Sequence, residues 1–196
     1  MRYLLPLLLA LPLAAQESKV EIDNAWVKVL RIKLGPHSKL PAEDRPPSIT
    51  VFLTEAGRQK AGDVFYGEAG RSTDTNATDR EQEKIVVELK PNAPKSPRIL
   101  LDPVKLDPEH HLVPFENGQV RVLRTILEPH LKSPLHEHPH YVVVYLTELH
   151  TTMALADGKL VDNVRSPGEV AWRDFMKHQT ENIGEKPAAE IQIELK

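Results

Sequence analysis

No cysteine occurs among the 196 residues. Disulfides and thiolate chemistry are therefore excluded, and any metal must be held by His, Asp or Glu. Aromatic residues make up only 5% of the chain while prolines number 17, a balance that favours many turns and short strands over long helices. Neither charge dominates: a net charge of −3 and a pI near 6.3 give no electrostatic reason to expect nucleic acid or an anionic membrane. Gly-rich phosphate loops, a Gly-x-Ser-x-Gly elbow and a basic stripe with interleaved aromatics are all missing. Nowhere do apolar residues recur at helical spacing for three turns.

A single long apolar run is present, at the start: "MRYLLPLLLALPLAAQ". Arg2 supplies a short positive region, residues 4–13 an apolar one, and "AAQ" a small-residue cleavage site after Ala15. The run is too short to span a bilayer, and polar residues follow at once. The expectation is a signal peptide over residues 1–15, a periplasmic or secreted protein, and no membrane span after cleavage. An uncleaved anchor is the alternative.

What remains repeats itself. "VEIDNAWVKVLRIKLGPHSKLPAEDRPPSITVFLTE", from Val20, aligns without a gap to "VPFENGQVRVLRTILEPHLKSPLHEHPHYVVVYLTE", from Val113, with 16 of 36 positions identical. A second ungapped block pairs the residues from Gly62 with those from Gly168 to the C-terminus. Both copies read as strands. "AWVKVLRIKL" and "QVRVLRTIL" have a period near two, "YVVVYL" is a buried run, and "AEIQIELK" alternates to the end. "TMALADGKLVDN" is a hairpin with an Asp-Gly turn, and the first copy lacks it. Residues 91–110 are proline-rich and predict a semi-rigid linker packed along the surface. The organisation expected is therefore a leader (1–15), an N-terminal domain (16–90), the linker (91–110) and a C-terminal domain (111–196), both domains all-β sandwiches or barrels. The shortened N-terminal copy is expected to cover strand edges of the other, as an internal dimer.

The copies differ in their histidines. In "LHEHPHYVVVYL", His136, His138 and His140 alternate, so on a strand all three could share one face. Under the alignment they stand opposite Glu43, Arg45 and Pro47, and His178 stands opposite Ser72. The candidate ligands vanish together from the first copy while its strand residues persist. Neutral imidazoles on one face suit Zn, Cu, Fe, Ni or Mn, and three protein ligands leave positions open for water or substrate.

These residues carry a resemblance. The second copy resembles the cupin superfamily, and the whole mature chain resembles a small bicupin. His136 and His138 match the family's His-x-His, and Gly168, His178 and Asn182 match its second motif, the last two at the expected four-residue step. The family's Glu ligand would fall at Val142 or Val143, its early Gly is His130, and its Pro-x-Gly is replaced at Arg173 and Phe175. The resemblance implies two tandem cupin-like β-barrels (double-stranded β-helix, or jelly roll), the N-terminal one degenerate. It also implies one divalent metal on His136, His138 and His178, like the three-histidine set of the cysteine- and diketone-cleaving dioxygenase cupins. His140 could serve as a fourth imidazole or stand beside the metal as a base.

Other residues read as scaffold. Tyr145, Trp172 and Phe175 suit core packing, Asn182 a turn, and His37 and His130 a structural role, since each follows a proline in both copies. Glu55 and Glu148 are likewise retained in both, and His110 and His111 read as exposed linker residues. The function expected is a metal-dependent enzyme of cupin oxygenase type acting on a small molecule, as a monomer or homodimer. A non-catalytic metal or ligand carrier and a metal-stapled structural protein are the alternatives.

Overall fold

The alternating stretches of both repeats fold as strands. The computed structural model describes residues 16–196, and the expected leader lies outside them. The first half holds β1 (Gln16–Asp23), β2 (Val27–Leu34), β3 (Ser38–Lys39), β4 (Glu43–Arg45), β5 (Ser48–Phe52), β6 (Val64–Gly67), β7 (Gly70–Ser72), β8 (Thr75–Asn76) and β9 (Gln82–Leu89). A one-turn helix, α1 (Pro103–Leu106), interrupts the connection. The second half holds β10 (His111–Glu116), β11 (Val120–Leu127), β12 (His136–His138), β13 (Tyr141–Tyr145), β14 (Leu149–Leu155), β15 (Leu160–Arg165), β16 (Val170–Arg173), β17 (Met176–Asn182) and β18 (Ala188–Leu195). Among the described residues no helix is long and apolar enough to cross a membrane.

Each half contains a five-stranded antiparallel sheet of one topology, β1-β2-β9-β5-β6 and β10-β11-β18-β13-β16. In the second half a four-stranded sheet, β12-β17-β14-β15, closes over it to complete a jelly roll. The first half has only two short ladders in that place, β3-β8 and β4-β7. The Asp157-Gly158 hairpin of β14 and β15 makes the difference, because residues 54–62 of the first half form a short loop instead.

The largest apolar cluster lies between the halves. Seven buried residues of the first half, Val27, Ile49 and Ile85 among them, pack with seven of the second, among them Val120, Val142 and Ile191. The two sets are aligned partners in the repeat, so the same face of each five-stranded sheet is buried on its twin. Aromatic pairs flank this core: Trp26 stacks on Trp172 at 5.2 Å and Tyr66 on Phe115 at 4.9 Å. Arg31 donates to the Gly168 carbonyl at 2.6 Å, and the aligned Arg124 donates to the Gly62 carbonyl. Gly62 and Gly168 have φ of +84° and +82°, and a Cβ on Gly62 would meet the Arg124 guanidinium at 2.9 Å. Both positions therefore favour glycine by backbone conformation, and Gly62 is required by close approach as well. The N-terminal half covers a sheet face, where strand edges were expected.

Positions outside that face fill each half separately. Leu30, Ile32, Leu34 and Val86 form the first interior, and Leu127, Tyr141, Val143, Tyr145 and Leu149 belong to the second. His37 and His130, at φ of 50° and 61°, turn the chain in the left-handed region, which explains their retention in both copies.

The shared core generates a test. Ile193→Ala, at a fully buried position, is expected to cost about 2–5 kcal/mol. Trp26 and Trp172 report from different halves, yet urea unfolding followed by fluorescence should stay a single transition with a lower midpoint. Two resolved transitions would contradict a common core.

Candidate metal centre

Register brings the histidines together. β12 pairs antiparallel with β17 so that His136 lies opposite His178, and His138 lies opposite Met176. Alternation puts His136 and His138 on one face, with His178 as the cross-strand neighbour. Ring centroids lie 4.5 Å apart for His136–His178, 4.8 Å for His136–His138 and 5.4 Å for His138–His178. One nitrogen from each ring falls within 4.8 Å of the others, and all three side chains are buried.

Each ring is held by its other nitrogen. His136 Nδ1 meets the Pro134 carbonyl at 2.8 Å, and His138 Nδ1 meets Glu194 Oε1 at 2.6 Å. Both partners accept, so both Nδ1 atoms carry the proton and both Nε2 atoms keep a lone pair. His178 Nδ1 lies 3.1 Å from the Thr180 hydroxyl. The Nε2 atoms of His138 and His178 are buried without any hydrogen-bond partner. A buried polar atom without a partner is costly, and few folds tolerate two side by side. Burial lowers the proton affinity of all three imidazoles, and in His138 and His178 the neighbouring histidines lower it further. Three neutral rings with lone pairs turned to one point fit a divalent metal in both donor type and protonation.

Not every expected residue joins them. His140 lies past the end of β12, and its ring packs against both Trp26, at 4.8 Å, and Trp172, at 5.7 Å. Its Nδ1 accepts from the Phe175 amide at 3.2 Å, so it belongs to the junction between the halves. Asn182 is buried and donates to the Leu127 and Lys186 carbonyls, each at 2.9 Å. Asn76, its aligned twin, does the same work with the Leu34 and Arg80 carbonyls. Phe175 is 40% exposed, whereas Tyr145 is buried in the second interior.

One expectation is corrected outright. His111, read as an exposed linker residue, is 2% exposed, and its ring lies 5.3 Å from that of His136. It opens β10, which folds into the sheet, and its Nδ1 meets the Asp107 carbonyl at 3.1 Å. Burial first, and then the charge of a protonated His136, push the His111 imidazole down to about 4.

The histidines border a narrow cavity between the two sheets. His111, His136 and His178 lie on its wall together with Arg173, Tyr145 and Glu190. Space for the centre of a water molecule amounts to about 30 Å³, enough for roughly two waters or a ligand of a few heavy atoms. Glu190, Gln192 and Glu194 alternate along β18 on the inward face. Gln192 donates to Glu190 at 2.6 Å and accepts from Thr125 at 3.2 Å. Desolvation pushes the Glu190 carboxyl up to about 7, against the hydrogen bond from Gln192 and the charge of Arg173. The Arg173 guanidinium donates to the Tyr145 hydroxyl at 3.2 Å, and no carboxylate lies within 4.0 Å of it among the described residues.

The aligned place in the first half keeps the backbone and changes the chemistry. Glu43 pairs opposite Ser72 in the register that sets His136 opposite His178. Arg45, in the position of His138, contacts Asp74 at 2.6 Å and Glu88 at 3.6 Å, and Lys84 also reaches Asp74 at 2.6 Å. A buried ion network occupies the place that the histidines take in the second half. The histidine group of the second half is the one potential metal cluster among the described residues.

Comparison with known proteins agrees with this architecture. No protein-family model matches the chain, and no curated protein matches it in sequence. Solved structures do. AerE from Microcystis aeruginosa superposes with a TM-score of 0.65 at 11% identity, over 96% of this chain and 95% of that one. The oxalate decarboxylase of Lactobacillus farciminis, solved as a formate complex, gives 0.63 at 10% identity, over 92% and 81%. A cupin 2 conserved barrel domain protein from Leptotrichia buccalis gives 0.55 at 11% identity, over 93% and 89%. The chain has the all-β jelly-roll fold of the cupins, with its histidine cluster inside the second barrel.

Proposed function

We propose that the chain is an exported bicupin whose C-terminal barrel holds one divalent metal on His136, His138 and His178, and that it acts as a metalloenzyme of oxygenase type on a small molecule. The first barrel is then a degenerate cupin in which Arg45 and its carboxylates have replaced the ligand set. The observation that carries this reading is the pair of buried Nε2 atoms, on His138 and His178, that no protein group satisfies. Zn, Fe, Mn, Ni and Cu all accept such imidazole donors.

A bound metal would supply a Lewis-acidic or redox centre with positions left open by the three protein ligands. The chain supplies the rest. Glu194 and the Pro134 carbonyl fix the rings of His138 and His136. Leu127, Val143, Leu149 and Met153 form an apolar wall that excludes water. Arg173 and Tyr145 present donors to an anionic or oxygen-bearing group on the ligand. Glu190, balanced near neutrality, takes or gives a proton in the same space. The narrowness of the cavity also favours a second reading, in which the protein holds a metal with a very small ligand and does not turn it over.

Metal-to-protein stoichiometry after dialysis against Zn²⁺ or Co²⁺ should be near one per chain. Alanine at His136, His138 or His178 should abolish tight binding, whereas His140→Ala should leave it nearly intact. The Co²⁺ absorption spectrum should shift on addition of azide, because open positions accept an exogenous anion. A spectrum indifferent to azide would point to a closed, structural site.

Glu190 offers an independent check. A carboxyl whose folded-state value lies above its unfolded one binds its proton more tightly when folded. It costs nothing below the unfolded value of 4.5 and destabilises as pH rises through about 7. Glu190→Gln should therefore raise the thermal midpoint at pH 8 and change it little at pH 5. Equal effects at both values would mean that Glu190 is an ordinary, solvated carboxylate.

A further inference from the structure

The connection between the halves is more than a tether. Residues 94–111 run past the outer edge of β12, the strand that carries His136 and His138, and make polar contacts with the turn that follows it, with β12 itself and with β11. At the start, Ser96 Oγ accepts from the His140 amide at 3.0 Å. In the middle the connection pairs with Glu137, which sits between the two histidines. The Leu100 and Leu101 amides donate to its carboxylate at 2.6 and 3.2 Å, and its own amide donates to the Leu101 carbonyl at 2.8 Å. β12 is an edge strand, with β17 on its other side. This segment is what satisfies its free edge.

The far end reaches the candidate metal centre itself. Asp102, which caps α1, takes two hydrogen bonds from Arg121, at 2.9 and 3.1 Å. Arg121 Nε donates to Glu194 Oε2 at 2.6 Å, and Glu194 Oε1 meets His138 Nδ1 at 2.6 Å. Asp107, one turn further on, holds His111 against the same centre. An unbroken line of charge-assisted hydrogen bonds thus runs from the connection to a candidate ligand. Leu100 is 82% exposed and Leu106 45%, and Pro103 is the one fully buried apolar residue between positions 94 and 107. A segment held by a few polar bonds has a low opening free energy.

We infer that residues 94–111 form a clasp whose docking is coupled to metal occupancy of the three-histidine centre through Asp102, Arg121, Glu194 and His138. This rests on the metal reading above and adds a regulatory property to it. A metal fixes the His138 ring, a fixed ring orders Glu194 and Arg121, and an ordered Arg121 retains Asp102. Coupling is reciprocal, so freeing the clasp weakens the metal by the factor with which the metal secures the clasp.

Limited trypsin digestion of the full mature chain, with and without Zn²⁺, tests this. Arg98 and Lys105 are exposed on the clasp, and exposed Lys60 in the first half serves as a control. Zn²⁺ should slow cleavage after Arg98 and Lys105 by about 10-fold or more, in the range of losses seen when a group supporting a ligand is removed, and leave cleavage after Lys60 unchanged. Asp102→Asn keeps a good helix cap while removing the charge that Arg121 holds. It should lower Zn²⁺ affinity by about 10-fold and abolish the protection. Tight Zn²⁺ binding with metal-independent cleavage at both bonds would overturn the coupling and leave the metal site standing, as would an Asp102→Asn protein that opens without losing affinity. A wild-type chain that binds no Zn²⁺, Co²⁺ or Fe²⁺ would overturn the metal reading and the coupling together.

Discussion

Burial of the two five-stranded sheets on each other is the constraint from which the rest of the structure follows. Each of these sheets has two faces, and most strand valines and isoleucines are spent on the outward one. Val122, Ile191 and Ile193 meet their aligned partners there. That leaves the inward face of the second barrel free to be polar, because stability does not depend on filling it with hydrocarbon. Glu190, Gln192 and Glu194 occupy it, and with them comes a cavity that three imidazoles can border. Without the partner sheet, the same apolar face would be an exposed patch of the kind that drives aggregation.

This arrangement explains what the sequence made legible and what it concealed. The all-β class and the hairpin follow from period and turn residues alone, and the structure bears them out, while the repeat read from the alignment coincides with the one sheet topology that the halves share. His136, His138 and His178 were legible because strand alternation and a cross-strand neighbour are local geometry. His140 obeys the same alternation on paper, but β12 ends at His138, and the chain turns through Pro139 toward the other half. Glu190 and Glu194 were hidden for a different reason. "AEIQIELK" looks like a strand with one face in solvent, and nothing local announces that both faces are covered. His111 was hidden by its neighbours, since a proline-rich run gives no sign of where it joins a sheet.

The two halves show how one frame tolerates opposite solutions to the same burial problem. In the second, imidazoles stay neutral, and Glu194 is shared between Arg121 and His138. In the first, the aligned Glu88 faces Arg45, and Asp74 is shared by Arg45 and Lys84. Breaking such a buried network by removing one member is strongly destabilising, typically by about 3–5 kcal/mol. Such a network, once formed, resists replacement one residue at a time. The inserted hairpin deepens the division, because β14 supplies Thr151 and Met153 to the cavity wall, and β15 supplies Asn163.

The reciprocal arginines carry a historical consequence. Arg31 reaches Gly168 and Arg124 reaches Gly62, so one contact is made twice, once from each half to the other. Such self-complementarity is what two identical chains produce when they meet, and a gene joined to its own copy inherits it. Joining them replaces a concentration-dependent encounter with a permanent neighbour at an effective concentration in the millimolar range or above. A homodimer must change both of its sites at every mutation. A fused pair can place different side chains at its two equivalent positions, as Arg45 and His138 do here.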